Sequence, residues 1–249
     1  GADILRVWVA ASDYAEDIRV DESILSQHAE SYRKIRNTFR YLLGNIKDNY
    51  EKQDFESIKV EDLDELEQFI LHKLYILDQN LKSNLKNYNF HKLYKELLNF
   101  CTLNLSSFYF DIRKDTLYCD PLNSEKRKSC VLILNILLKS LLRWFAPILS
   151  YTTEEIHQLI SGNSKSIHLE KFLTFPENFK NEKLEKKWLE LIKIKDVCNI
   201  SIEEKRASKE IGSSLEAALT IYLDNKNKEI IKNIDLSELC ITSSVTIKD

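Results

Sequence analysis

Three arginines and an asparagine share one edge of a predicted amphipathic helix near the start of the chain. At about 100° per residue, Arg33, Arg36 and Arg40 fall within a sector of about 60°, with Asn37 beside them. Guanidinium groups bind phosphates through paired hydrogen bonds and keep their charge at physiological pH. These four residues, named here the arginine stripe, predict contact with a polyphosphate partner. The alternative is an ordinary solvated helix edge, since charged runs often bind nothing specific.

Two further groups of basic residues extend this candidate surface. They are Arg113 and Lys114 in one segment, and Lys126, Arg127 and Lys128 at the entrance to a predicted helix. Aromatic side chains between positions 108 and 118 lie near these charges in the sequence, and unstacked bases of an RNA loop bind to aromatic faces. The pattern favours RNA as the polyphosphate. The alternative is that these aromatic residues form part of a core.

No pattern typical of a catalytic or metal centre occurs in the sequence. It lacks glycine-rich nucleotide-binding motifs, a nucleophile elbow and an HExxH motif. The five histidines are far apart, and the five cysteines include no CxxC pair, so neither catalytic residues nor a metal site are predicted. An odd number of scattered cysteines argues against a disulfide framework and favours a reducing cytoplasm, with each cysteine a small buried hydrophobe.

Composition limits the remaining function classes. The net charge of the 249-residue chain is −3, so an argument for nucleic-acid binding must rest on local patches rather than on overall charge. No run of 18 apolar residues is present, and no membrane partner is expected. Because the chain begins with glycine and contains no methionine, we expect it to be a piece of a longer protein.

The scarcity of helix breakers predicts the fold class. With 4 glycines and 3 prolines, the chain should be mainly α-helical with long elements. The periodicity predicts an antiparallel helix bundle followed by a small α+β unit. The predicted organisation is a connector at 1–22, a helical bundle at 23–160, a linker at 161–180 and an α+β domain at 181–249.

Individual elements follow from apolar spacing, capping residues and turn signals. An acidic connector is expected at 48–62, and a compact aromatic segment at 106–120. A capping box at 152–155 predicts the start of a short helix that ends at 159. Helices are predicted at 2–10, 22–43 (ended by Gly44), 63–86, 90–105, 124–144, 182–204 and 226–234, and strands at 218–223 and 238–242.

Several stretches, taken in order, resemble the large class I aminoacyl-tRNA synthetases. Residues 1–10 (GADILRVWVA) are similar to the segment after their lysine-rich catalytic loop, and residues 32–45 to their tRNA-binding helix. Blocks similar to the isoleucine branch are NFHKLY at 89–94, LLNFC at 97–101, SFYFD at 107–111, LYCD at 117–120, WFAPILSYT at 144–152 and IGSSLEA at 211–217. Some of these patterns are shared with the valine and leucine enzymes. The blocks at 108–120 and 211–217 favour the bacterial isoleucyl-tRNA synthetases.

The resemblance implies a helical anticodon-binding domain followed by a junction domain. It implies that the arginine stripe contacts the backbone of tRNA(Ile), and that a monomeric parent joins isoleucine to this tRNA with ATP and magnesium. The catalytic and editing domains, and the zinc module common at the C-terminus of the family, are not expected in this chain, which should be inactive alone. Two alternatives stay open: a non-catalytic helical protein-interaction or structural module, and the same domain of a valyl- or leucyl-type synthetase.

Overall fold

The computed structural model describes residues 1–46, 58–162 and 165–248, which form two compact units, 1–180 and 181–249. The mainly α-helical fold class is confirmed. The first unit contains α1 (Ala2–Ala11), α2 (Glu22–Ile46), α3 (Glu65–Lys86), α4 (Phe90–Asn99), a π-helical segment (Phe100–Tyr109), α5 (Phe110–Cys119), α6 (Glu125–Phe145) and α7 (Ser150–Ser161). The second unit contains α8 (Glu182–Ala207), β1 (Ala218–Tyr222), α9 (Asn225–Ile230), α10 (Leu236–Cys240) and β2 (Ser244–Lys248).

Helix α2 positions the arginine stripe. It begins after Asp21, whose carboxylate accepts a hydrogen bond from the Ile24 amide at 2.8 Å, as expected of an N-cap. Its apolar face, formed by Ile35, Phe39 and neighbours, is fully buried against the bundle. The predicted end at Gly44 is wrong, because the helix continues to Ile46. Burial of that isoleucine outweighs the cost of about 1 kcal/mol for a mid-helix glycine.

The helix predicted at 90–105 is longer than expected. The segment from 90 to 119 is helical throughout, with π-helical geometry at its centre, so the predicted end at 105 is wrong. Side-chain hydroxyls support the widened turns: Ser106 donates to the Cys101 carbonyl at 2.9 Å and Ser107 to that of Thr102 at 3.0 Å. Phe108, the first of three consecutive buried aromatics, belongs to the core. The core interpretation of the aromatic segment is therefore correct except at its end.

The predicted capping box at 152–155 is wrong. Helix α7 already begins at Ser150, and Thr152 and Thr153 are buried in its first turn. The cap comes instead from a residue distant in sequence: the Asp3 carboxylate accepts from the Thr152 amide at 2.9 Å and from its hydroxyl at 2.6 Å. Helix α1 is therefore packed within the first unit.

The second unit differs from expectation at its end. The predicted strand at 238–242 is wrong, because Asp235 caps a helix there by accepting from the amides of Ser237 and Glu238 at 2.9 and 3.1 Å. The strand follows as β2 and pairs in parallel with β1, in a register that joins Ala218 to Ser244. A parallel pair needs a crossover, and α9 and α10 provide it.

Candidate nucleic-acid interface

The arginine stripe lies on the solvent side of α2, opposite the buried face. Arg33 forms an ion pair with Glu30 one turn earlier. Arg36 donates from Nη1 to the hydroxyl of Tyr32 at 3.4 Å. Arg40 and Asn37 are exposed and have no side-chain partner among the residues that the structure describes. Within the described part of the chain, the stripe therefore presents one guanidinium paired with a carboxylate, one weakly held and one without a side-chain partner.

The ion pair of Arg33 is weak enough to be exchanged for a phosphate. Both side chains are more than half exposed, at 62% and 60%, and exposed helical ion pairs at i,i+3 contribute about 0.2–0.5 kcal/mol. Of the acidic connector, Glu61 and Asp62 form no ion pair with the stripe in the described structure. Its remaining acidic residues, Asp48, Glu51, Asp54 and Glu56, lie outside the described residues.

Contacts along α2 fix the direction in which the stripe points. Directly before the stripe, the Tyr32 hydroxyl lies 2.9 Å from the Thr152 hydroxyl of α7. Near its end, Tyr41 stacks on Phe110 with 4.2 Å between ring centroids and donates to its carbonyl at 3.3 Å. Burial raises the pKa of Tyr41, and electrostatic interaction with Tyr118 raises it further. The Tyr41 hydroxyl therefore stays neutral and donates its hydrogen bond. Helix α2 is thereby anchored at both ends of the stripe.

The second basic group lies where α5 ends and α6 begins. Lys114, Lys126 and Lys128 are at least partly exposed there and are named the corner cluster. Each is engaged locally, Lys114 with Asp111 at 3.0 Å and Lys128 with Glu125 at 2.7 Å, while Lys126 also has a partner. The Asp111 that holds Lys114 also acts on Tyr41 of α2. Phe110, which stacks on Tyr41, lies one helical turn before Lys114, so this member of the cluster follows closely on a contact with α2.

Arg127 holds the corner together rather than extending into solvent. Its Nη1 donates to the Asp120 carbonyl at 2.5 Å, and its amide donates to the Ser124 hydroxyl at 3.4 Å. The first bond spans the turn between the two helices, and the second caps α6. To contact a phosphate directly, as predicted, the Arg127 guanidinium would have to share or give up its bond to the Asp120 carbonyl.

Arg113 does not belong to the candidate surface, so its prediction as a tRNA-binding residue is wrong. It is 3% exposed, and its Nε and Nη2 donate to the two carboxylate oxygens of Glu67 at 2.8 and 2.6 Å. Nη2 also lies 3.3 Å from Asp64, and the Tyr109 hydroxyl donates to Glu67 at 3.1 Å. A buried carboxylate needs a compensating charge, and Arg113 supplies it. The signal for this pair in the sequence is Glu67, a carboxylate among the apolar residues that form the buried face of α3.

Other polar groups of the first unit have structural partners. Glu154 accepts from the Ser166 hydroxyl at 2.8 Å and from the Ile167 amide at 3.0 Å, and it thereby holds the turn after α7. His72 is buried, and His168 contacts the Ser150 carbonyl at 3.2 Å. Across the described ranges, no three His, Cys, Asp or Glu side chains converge on a possible metal site, and no helix is both long and apolar enough to cross a membrane.

An apolar groove of about 650 Å³ also lies in the first unit. Leu5 and Val9 of α1, Leu81 of α3 and Trp144 of α6 are among the residues that line it. Its charged residue, Arg6, is engaged with the carbonyls of residues 148 and 147 at 2.9 and 2.7 Å. Among the described residues that line it, the groove has no acid–base pair, and its arginine is already engaged.

Comparison with known sequences decides the family. The profile described as the anticodon-binding domain of tRNA ligase matches residues 67–222. The chain belongs to this family. The matched range contains the corner cluster and Arg113, whereas the arginine stripe lies before it. Membership of this family is consistent with the mainly helical architecture.

Relatives extend the similarity over the stripe. The isoleucine–tRNA ligase of Pelagibacter ubique is 65% identical over 247 residues, which are 99% of this chain and 27% of the relative. The isoleucine–tRNA ligases of Bartonella henselae and Agrobacterium fabrum are 41% and 40% identical over 248 residues, each 99% of this chain and 25% of the relative. The chain thus spans about a quarter of the length of these relatives.

Proposed function

We propose that this chain is the part of an isoleucine–tRNA ligase that docks the anticodon stem-loop of tRNA(Ile). The observation that carries the proposal is the 65% identity to the Pelagibacter ubique ligase along 99% of the chain. The exposed arginine stripe on an anchored helix supplies a physical means of binding. Its role is placement, because a misplacement of about 1 Å at a reacting centre costs about 100-fold in rate.

The stripe supplies affinity through the phosphate backbone. Arg33 and Arg40 are separated by about 10 Å along the helix axis, enough to reach more than one phosphate of a strand. Arg40 has no competing partner among the described residues, and Arg33 exchanges a weak surface pair for a phosphate. Asn37 adds an amide that donates to a phosphate or a sugar hydroxyl. Such contacts position an RNA without reading its sequence.

The corner supplies a place for bases. Tyr118 in the last turn of α5 is 66% exposed, in contrast to the buried aromatics that precede it. Lys114 is one turn away on the same helix, and Lys126 and Lys128 lie across the turn. An exposed aromatic face beside cations suits an unstacked anticodon base held near its phosphate.

The catalytic reaction is assigned to other parts of the parent protein. The ligase activity named for the relatives, and the ATP and magnesium that the resemblance implies, are not assigned to any residue of this chain. No zinc module is assigned to it either. A monomeric state and a cytoplasmic location complete the proposal, the latter because scattered free thiols suit a reducing compartment.

Fluorescence anisotropy with labelled tRNA transcripts tests this function. The chain is titrated with tRNA(Ile) and with a copy whose anticodon is exchanged, each at two salt concentrations. Tighter binding to the correct anticodon supports the proposal and assigns identity reading to these residues. Equal binding that weakens steeply with salt supports phosphate contacts alone. Binding no stronger than to an unrelated RNA contradicts docking by this chain and favours the protein-interaction alternative.

The same assay distinguishes the related synthetases. A valyl- or leucyl-type domain is expected to prefer tRNA(Val) or tRNA(Leu) over tRNA(Ile). These transcripts therefore serve as matched competitors, and a preference for either one contradicts the isoleucine assignment.

A further inference from the structure

Three hydrogen bonds connect the middle of the arginine stripe to the first helix of the chain. Nη1 of Arg36 lies 3.4 Å from the Tyr32 hydroxyl, which lies 2.9 Å from the Thr152 hydroxyl of α7. The Thr152 hydroxyl in turn lies 2.6 Å from Oδ2 of Asp3 on α1. These four residues, named here the relay, form one continuous path from an exposed cation to a buried carboxylate.

The donor of each bond in the relay follows from its last member. A carboxylate has no hydrogen to give, and Oδ2 of Asp3 also accepts from the Thr152 amide at 2.9 Å. The hydroxyl hydrogen of Thr152 is therefore used on Asp3, and its oxygen accepts from Tyr32. The hydroxyl hydrogen of Tyr32 is used in that bond, which leaves a lone pair of its oxygen to accept from Arg36. Every hydrogen of the relay therefore points from α2 towards Asp3.

The inner end of the relay is buried and fully bonded. Asp3 and Thr152 are 7% and 5% exposed, and the second carboxylate oxygen, Oδ1, accepts from the Tyr151 amide at 3.4 Å. The carboxylate thus accepts three bonds from the first turn of α7, where the helix dipole stabilises a negative charge. Tyr32 is only partly buried, so it carries an oxygen from this fixed pair to the surface, one helical turn before Arg36.

Arg36 is held by an oxygen without a charge, unlike its neighbour in the stripe. Arg33 is paired with the carboxylate of Glu30, which competes with a phosphate for the same guanidinium. A hydroxyl orients a guanidinium without cancelling its charge. The bond to Tyr32 also occupies only one of several N–H groups, so the others stay available for a phosphate.

We propose that Tyr32 and Thr152 are positioning residues, which hold the guanidinium of Arg36 ready for a phosphate of the bound tRNA while leaving its charge free. Asp3 fixes the direction of the relay from α1. This inference rests on the proposed function, because it assigns roles within the same tRNA-binding surface. Ordering one long side chain before binding is worth about 2–10-fold in affinity, and the length of the bond to Arg36 places the expected effect in the lower part of this range.

A double-mutant cycle with labelled tRNA(Ile) tests the coupling in the 249-residue chain. Tyr32→Phe keeps the ring and removes the acceptor, and it should weaken binding about threefold. In an Arg36→Ala background the same substitution should have no further effect, whereas in an Arg40→Ala background the threefold loss should persist. Equal losses in all three backgrounds would overturn the proposal, because Tyr32 would then act through the helix as a whole. The absence of any loss in the native background would overturn it as well.

Conservative variants distinguish the hydroxyl of Thr152 from its packing. Thr152→Ser keeps the hydroxyl and should bind tRNA(Ile) normally, whereas the nearly isosteric Thr152→Val should weaken binding only while Arg36 is present. Tyr14→Phe removes a hydroxyl that donates to the Tyr88 carbonyl at 2.9 Å, outside the relay, and should leave binding unchanged. Urea unfolding shows whether each variant is folded. Equal losses in folded Thr152→Ser and Thr152→Val would contradict a role for the hydroxyl.

NMR of the arginine side chains tests the relay without RNA. In the free chain, rotation of the Arg36 guanidinium should be slower than that of Arg40, which has no described side-chain partner, and Tyr32→Phe should make the two alike. The exposed thiol of Cys119, where the expectation of a buried cysteine is wrong, requires a reducing buffer throughout. Equal rotation of Arg36 and Arg40 in the native chain would overturn the relay. Slow rotation of Arg36 in a chain that does not prefer tRNA(Ile) to an unrelated RNA would support the relay and overturn the proposed function.

Discussion

The guanidinium of Arg113 binds both carboxylate oxygens of Glu67 in the interior of the first unit, at 2.8 and 2.6 Å. This pair links α5 to α3, and Lys114 of the corner cluster directly follows Arg113 in the sequence. Both side chains are almost completely buried, so water cannot take the place of either one when it is removed. An uncompensated buried charge is among the most destabilising changes that a single substitution produces.

We expect Glu67→Gln to lower the free energy of unfolding by about 3–5 kcal/mol, because it leaves the buried Arg113 with only the half-exposed carboxylate of Asp64, at 3.3 Å, as a counter-charge. Urea unfolding followed by circular dichroism measures the change, and hydrogen exchange in α3 assigns it to the first unit. The double variant Glu67→Leu/Arg113→Met removes both charges and should recover much of the loss. A loss below about 1 kcal/mol in the single variant would show that the pair is hydrated.

The arginines of the stripe are predicted to contribute unequally to tRNA binding. Arg40→Ala should weaken tRNA binding more than Arg33→Ala, because Arg33 gives up Glu30 on binding and Arg40 gives up no described partner. Each loss should be similar for all tRNAs and should reduce the salt slope by about 1. Removing the competitor with Glu30→Gln should strengthen binding about twofold. Lys193→Ala, an exposed cation of the second unit, is the matched control, and an equal loss there would refute a specific stripe.

Tyr118 is predicted to stack on a base. Tyr118→Phe keeps the aromatic face and should bind tRNA normally, whereas Tyr118→Leu should lose about 1–3 kcal/mol of binding free energy. Because the side chain is exposed, neither variant should change stability by more than about 0.5 kcal/mol. Anisotropy titrations measure the affinities. Equal affinities of the two variants would show that Tyr118 contributes no stacking.

Asp3 is predicted to stabilise α7 from a distance. Asp3→Ala removes the acceptor for the Thr152 amide and hydroxyl, and it should cost about 1–2 kcal/mol of unfolding free energy. Amide exchange at Thr152 should accelerate, while amides at the start of α6, capped by their own Ser124, should not change. Unaltered exchange at Thr152 would mean that water replaces the carboxylate.

The sequence predicted the elements whose signals are local. The apolar spacing of α2, α3 and α6 and the cap at Asp21 identified those helices within a few residues. Predictions failed where a distant residue decides the outcome. The start of α7 depends on Asp3, some 150 positions earlier in the sequence, and the end of α2 depends on burial of Ile46 by the bundle.

The same reasoning applies to the candidate interface. The stripe was visible because its residues share one helix, so their mutual geometry follows from their spacing. The assignment of Arg113 failed because nothing local distinguishes a solvated arginine from one that neutralises Glu67 on another helix.

Asp78 offers a prediction about pH. Its carboxylate is buried on α3 and accepts from the Lys82 ammonium at 2.6 Å. Burial raises its pKa above the usual 3.8, and Lys82 offsets this only in part. The folded state therefore favours the protonated form, so the stability that this group contributes is complete below pH 3.8 and is lost as pH rises through the folded-state pKa.

Asp78→Asn should therefore raise the free energy of unfolding at pH 7, and the gain should shrink as the pH falls below 3.8, where both side chains are neutral. Urea unfolding at pH 7 and at pH 3 measures both values. Lys82→Ala in the native background should have the opposite effect at pH 7, because it removes the compensating charge, and it should cost less in the Asp78→Asn background. A loss of stability in Asp78→Asn at pH 7 would show that the bond to Lys82 outweighs the burial of the charge.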